Sequence, residues 1–130
     1  MSATTRFTRQ WEVSGEYLLT DSTVLRGLRV PQVPRNQFNF QVTYANEKWL
    51  VGTQGRFVGK VFDDDQNTLP LERFFTLDAE ASRAVSERVR LFVAFQNLTG
   101  SRYQISSTPV FTLGPPVLVR LGIRVATDLR

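Results

Sequence analysis

The strongest constraint on this chain is a two-residue rhythm that runs through Phe74–Tyr103. From Phe75 onward the odd positions Phe75, Leu77, Ala79 and Ala81 are apolar or small, and the even positions Thr76, Asp78, Glu80 and Ser82 are polar. After Ser86-Glu87 the rhythm resumes, with Val89, Leu91, Val93 and Phe95 on one face. Arg88, Arg90 and Gln96 fall on the other, with Phe92 and Ala94. Successive side chains of a strand point to opposite faces, so two such arms around a tight turn predict an antiparallel hairpin. Pairing Arg83 with Val89 would place Leu77 opposite Phe95, Ser82 opposite Arg90, and Glu80 diagonal to Arg90. The rhythm leaves open whether a soluble core or lipid covers the apolar face.

The same alternation recurs along the chain. Thr5–Leu19 reads as one long strand, with Phe7, Trp11, Val13, Tyr17 and Leu19 on its odd face. Such a length exceeds the usual five or six residues and points to a large barrel. Gln37–Tyr44 follows, with Phe38, Phe40, Val42 and Tyr44 on one side. Trp49–Phe62 sets Trp49, Val51, Phe57 and Val61 against Gln54, Arg56 and Lys60, and its three glycines suit a curved wall. The last strand, Val117–Val125, sets Val117, Val119, Leu121, Ile123 and Val125 against Arg120, Gly122 and Arg124.

Between the strands the connections alternate long, short, long, short, long. Thr20–Asn36, Asp63–Arg73 and Asn97–Pro116 are the long ones. Pro31 and Pro34 keep the first out of any central strand, and its PxxP spacing reads as ordinary loop. All long loops therefore fall at one end of the sheet and the short turns at the other, the asymmetry of an outer-membrane barrel. Tyr44 and Trp49 flank a short turn, where an interfacial girdle would sit.

Composition narrows the function. The chain has 130 residues and no Cys or His, which removes disulfides, thiolate metal sites and the commonest general base. No nucleophile–base pair can be assembled, so no enzyme activity is expected, nor any cofactor or metal. The net charge of +4 is scattered without a basic run, which argues against nucleic acid. At 42% hydrophobic, with apolar runs of only a few residues, the chain holds no spanning helix. The segment MSATTRFTRQW lacks the apolar stretch of a secretory signal.

Four elements, in order, carry a family likeness: VPQVPRNQFNFQVTY, LVGTQGRFVGKVFDDDQNT, FFTLDAEASRAVSERVRLFVAFQNLTGSRYQ and TPVFTLGPPVLVRLGIRV. From Leu28 to Val125 the chain resembles the carboxy-terminal part of TonB-dependent outer-membrane receptors. The resemblance implies an all-β, antiparallel up-and-down meander of about six long strands. These would form a partial wall of a transmembrane β-barrel of the roughly 22-stranded, plugged size class. It implies residues 1–130 as a single partial domain, with plug and signal peptide lying elsewhere. It also implies a receptor for a scarce ligand such as a ferric siderophore, not transport-competent alone. The implied partners are outer-membrane lipid, the remaining barrel, the plug, and TonB through the amino-terminal part. The family's usual terminal aromatic is replaced here by Ala126–Arg130. A lipocalin-like soluble barrel around a small apolar ligand is the alternative, separated by whether the apolar face points out or in.

Candidate ligand contacts are Arg26, Arg29, Arg35 and Arg73, because loops on a rigid wall carry recognition and guanidinium groups suit carboxylates or phosphates. Glu12, Glu16, Arg56, Lys60, Asp78, Glu80, Arg90, Arg120 and Arg124 read as structural charges of the polar face. Asp63-Asp64-Asp65 has oxygen ligands for calcium, but reads first as a solvated loop tip. Asn97-Leu98-Thr99 matches a glycosylation sequon and is expected to be inert.

Overall fold

A computed structural model describes residues 1–24 and 27–126. Seven strands form one antiparallel sheet: β1 (Ser2–Arg6), β2 (Trp11–Leu19), β3 (Asn36–Ala45), β4 (Trp49–Val58), β7 (Phe74–Ala84), β8 (Val89–Gln96) and β11 (Leu118–Val125). Each pairs with the next in sequence, so the sheet is an open meander with β1 and β11 at its edges. Two short hairpins are set in the long loops: β5 (Val61–Phe62) with β6 (Pro70–Leu71), and β9 (Gln104–Ser106) with β10 (Thr112–Leu113).

The register gives each face its chemistry. Residues directly opposed share a face, and one row runs Val13, Val42, Thr53, Ala79, Phe95, Val119. Parallel rows on that face hold Trp11, Tyr44, Val51, Ala81, Val93 and Leu121, and the aromatics Tyr17, Phe38, Phe57 and Phe75. One step along, the opposite face carries Ser14, Gln41, Gln54 and Asp78, then Glu12, Thr43, Gly52, Glu80, Ala94 and Arg120. On this polar side Arg6 pairs with Glu12 at 2.9 Å and Arg124 with Glu80 at 3.1 Å.

The apolar face covers nothing. Among the described residues only Val58, Leu71 and Ala94 are buried hydrophobics, whereas Leu121 is 78% exposed and Ile123 64%. A lipocalin-like barrel would have turned these side chains into a dry interior; here they point away from the polar face into the surroundings. Two aromatic bands mark the edges of that face. Trp11, Tyr44 and Trp49 lie toward the short turns, and the Tyr17–Phe75 row lies toward the long loops. On β4, Trp49 and Phe57 are eight residues apart, about 26 Å along the strand at ~3.3 Å per residue. At the strand tilt of about 35–45° found in outer-membrane barrels, that projects to about 20 Å, most of an apolar band about 25 Å tall.

Three local expectations are corrected. The long first strand is a hairpin, β1–β2, which raises the count from about six strands to seven. Its turn is set by Thr8, whose Oγ1 accepts the N–H groups of Gln10 and Trp11 at 3.2 Å each. Because odd residues pair with odd across it, the alternation runs through the turn unbroken, and periodicity alone does not reveal it. The β7–β8 register is shifted two residues from the sequence expectation. Ala79 opposes Phe95, Ser82 opposes Phe92, and Glu80 opposes Ala94. A two-residue shift keeps every side chain on its face, but Glu80 meets Arg124 rather than Arg90, which donates to Ser82 Oγ at 3.3 Å. Finally, β4 ends at Val58, where Gly59 N–H donates to Asn36 O at 2.8 Å and the chain leaves the sheet.

Gly55 is required by packing. The Phe40 ring lies on it from the neighbouring strand, so a Cβ there would fall inside the ring. Held in this way, Phe40 stacks against Phe75 with centroids 6.5 Å apart and planes 17° from parallel. Gly55→Ala is therefore expected to destabilise the folded wall by about 1–3 kcal/mol through overpacking. Urea titration of the receptor refolded into bilayers checks this, and the same change at the open Gly52 should be nearly silent.

Candidate ligand-facing pocket and loop cluster

The long loops are lashed together by polar side chains. Asp63, only 8% exposed, is the centre of this cluster. Its carboxylate accepts the Gln32 side-chain amide at 2.9 Å, the N–H groups of Ser107 and Thr108 at 2.7 and 2.8 Å, and the Thr108 hydroxyl at 3.0 Å. One carboxylate thus joins all three long loops. These donors, Gln32 first, then Ser107 and Thr108, hold its carboxyl down to about 2 against the opposing effect of burial. Asp64 closes its own loop, accepting from Thr68 Oγ1 at 2.7 Å and from the N–H groups of Leu69 and Thr68 at 2.8 and 3.0 Å. Burial alone would raise its pKa, but the bonds from Thr68 and Leu69 outweigh that and hold it below the ordinary value. Asp63 is therefore no solvated tip but a tether, a correction to the sequence reading. Among the described residues no cluster of three or more acidic, His or Cys side chains is placed to hold a metal ion.

Two asparagines add to the lashing. Asn67 accepts the Arg29 N–H at 2.7 Å and donates to Arg29 O at 3.0 Å, joining the first and second loops. Asn97 is 2% exposed, and its amide donates to Ser101 O and Pro115 O at 2.9 Å each. The sequon side chain is thus fully engaged and sterically closed to modification.

Beneath this cluster, on the polar side of the sheet, lies a pocket of about 330 Å³. Gln32, Arg56, Glu72, Phe74, Tyr103 and Gln104 are among its walls. Phe74 and Tyr103 stack with centroids 3.9 Å apart and planes 15° from parallel, and the Arg56 guanidinium lies 5.9 Å from the Phe74 ring. The Tyr103 ring in turn rests on Gly114, where a Cβ has no room. The pocket offers flat apolar surface beside a cation.

Arg29, Arg35 and Arg73 all sit at this end of the sheet. The Arg35 and Arg73 side chains are exposed, Arg29 is half-buried, and none of the three has a side-chain partner among the described residues. Arg26 lies outside the described residues, as do Thr127–Arg130, on which most of the carboxy-terminal departure rests. The structure records no contact among the three arginines. Sequence reasoning missed the linking residues Gln32, Asp63, Asn67 and Tyr103. The one signal was local: an Asp four residues before a Thr, in a run rich in turn-forming residues.

A family model described as TonB dependent receptor-like, beta-barrel matches residues 2–98. The chain belongs to the TonB-dependent receptor β-barrel family. The match begins earlier than the Leu28 boundary and takes in the β1–β2 hairpin. Solved receptors share the fold over nearly the whole chain. The siderophore receptor PiuA from Acinetobacter baumannii superposes with a TM-score of 0.80 at 21% identity, over 94% of this chain and 20% of that one. The ferric-catecholate import receptor Fiu from E. coli K12, in its open form, gives 0.79 at 20% identity, over 95% and 19%. The copper transporter OprC gives 0.77 at 15%, over 95% and 23%. The chain spans about a fifth of the length of these solved proteins, and its sheet is an unclosed arc of barrel wall.

Proposed function

We propose that this chain is part of the wall of a TonB-dependent outer-membrane receptor that takes up a scarce ligand such as a ferric siderophore. All 130 residues act as one partial domain: the apolar face meets outer-membrane lipid, and the polar face meets a plug domain. TonB couples to a part of the receptor outside this wall, and the arc alone does not transport. The observation that carries this reading is the geometry of the sheet. Large apolar side chains fill one exposed face between two aromatic bands, every strand charge but Arg83 lies on the other, and every long loop leaves from one end. The relatives are transport receptors, and no catalytic role is assigned.

The ligand is placed at the loop end. Arg29, Arg35 and Arg73 on the loops, with Arg56 and the Phe74–Tyr103 pair in the pocket below, suit an anionic chelate with flat apolar parts, and Arg26 joins them by residue type alone. The test uses the full receptor and a ferric siderophore, read by quenching of intrinsic fluorescence. Replacing Arg29, Arg35 and Arg73 together by Ala should weaken binding by on the order of tenfold, as loss of charge-assisted contacts does. Unchanged affinity would remove these loops from the ligand site, and no binding of any ferric chelate would remove the ligand class.

A further inference from the structure

We propose that Arg83 and Trp49 form a binding site for the phosphate of an anionic phospholipid at the short-turn edge of the wall. Among the described residues of the seven strands, Arg83 is the one charged side chain on the apolar face. The rows that settle this are Trp49–Arg83–Leu91–Ile123 and the parallel rows above it, otherwise apolar, small or uncharged polar. A cation facing lipid is costly unless it reaches the headgroup layer or gains a partner there. Arg83 is exposed, and its position is next to last in β7, one residue before the short turn.

Its surroundings suit a phosphate. The guanidinium carbon lies 5.3 Å from the Trp49 ring centroid, a cation–π contact that leaves its N–H donors to be satisfied elsewhere. Those donors have no hydrogen-bond or ion-pair partner among the described residues. A phosphodiester oxygen pair matches that fork, and a headgroup phosphate sits at the depth of an aromatic band. Across β2 and β3, Trp11 and Tyr44 continue the band with centroids 5.0 Å apart, giving the acyl chains and glycerol an apolar wall. Lys48, whose carbonyl accepts the Ala84 N–H at 2.7 Å, adds a second cation beside the site. Glu47 and Glu87 sit in the adjoining turns, so one phosphate rather than a polyanion is the fitting ligand. The proposal rests on the membrane reading above.

The experiment is native mass spectrometry of the full receptor released from detergent with phosphatidylglycerol or phosphatidylcholine. The receptor should retain phosphatidylglycerol preferentially, Arg83→Gln should lower that retention about fivefold, and Arg83→Lys should fall between, as expected for one interfacial cation. Trp49→Ala should weaken retention with the charge still present. Heat-dependent gel mobility confirms that each variant is folded. Equal retention by the Gln variant, displacement by millimolar inorganic phosphate, or preference for lipopolysaccharide would each overturn the proposal. Failure of the receptor to enter detergent micelles or bilayers at all would instead overturn the membrane reading.

Discussion

Val42→Arg will cost the receptor about 2–4 kcal/mol of folding free energy in a bilayer, the penalty of a cation near the middle of a lipid-facing strand. Its neighbour Gln41→Arg will change stability by only about 0.5 kcal/mol, because it adds a charge to a hydrated surface. The two residues are adjacent in β3 and lie in mid-strand rows, Val42 between Val13 and Thr53 and Gln41 between Ser14 and Gln54. They differ in the face they occupy, while strand position and the introduced Arg are common to both. Urea titrations of the two variants, refolded into phospholipid vesicles, measure it. Equal costs would mean that the apolar rows do not meet lipid. If the sheet were water-soluble, neither cost would depend on the presence of vesicles.

The second large effect concerns Asp63. Asp63→Ala removes the acceptor shared by Gln32, Ser107 and Thr108, leaving their donors without a partner inside the cluster. Amide exchange at 104–108 and around Gln32 should accelerate by on the order of tenfold or more, while β3 and β4 remain protected. Acid should reproduce this in the unmodified protein. The folded pKa is depressed from 3.8 to about 2, so the tether is fully present above 3.8 and is lost as pH falls through about 2. Asp63→Asn should loosen the same loops at neutral pH and flatten their response to acid. Exchange rates unchanged in the Ala variant would show that the loops are held by their short strands, β5–β6 and β9–β10, instead.

These two sites also show what was legible in the sequence. The faces were readable because parity is a property of the strand alone: Val42 and Gln41 alternate wherever the strand begins. Pairing was less readable, because register depends on turn geometry. The four-residue turn Val85–Arg88, closed by Val85 N–H on Val89 O at 2.9 Å, moved β8 by two residues without moving any side chain to the other face. The β1–β2 hairpin was invisible for the same reason, with only Thr8 to mark it. The loop cluster was least legible. Asp63 finds Ser107 and Thr108 more than forty positions away, and no local pattern encodes such a meeting. The loop arginines follow from residue type alone, whereas the pocket lined by Arg56, Phe74 and Tyr103 depends on how β4, β7 and the third loop meet.

A wall with no dry centre has a distinctive way of failing. Each long strand leans only on its immediate neighbours, two for the inner strands and one for β1 and β11. Its cohesion is therefore a chain of neighbourly links, closer to a stacked repeat than to a droplet. Damage at Phe40 and Gly55 should loosen β3, β4 and β7 and leave the β8–β11 seam untouched. Injuries in separate seams should simply add, so such a sequence can drift strand by strand while the curved shape endures.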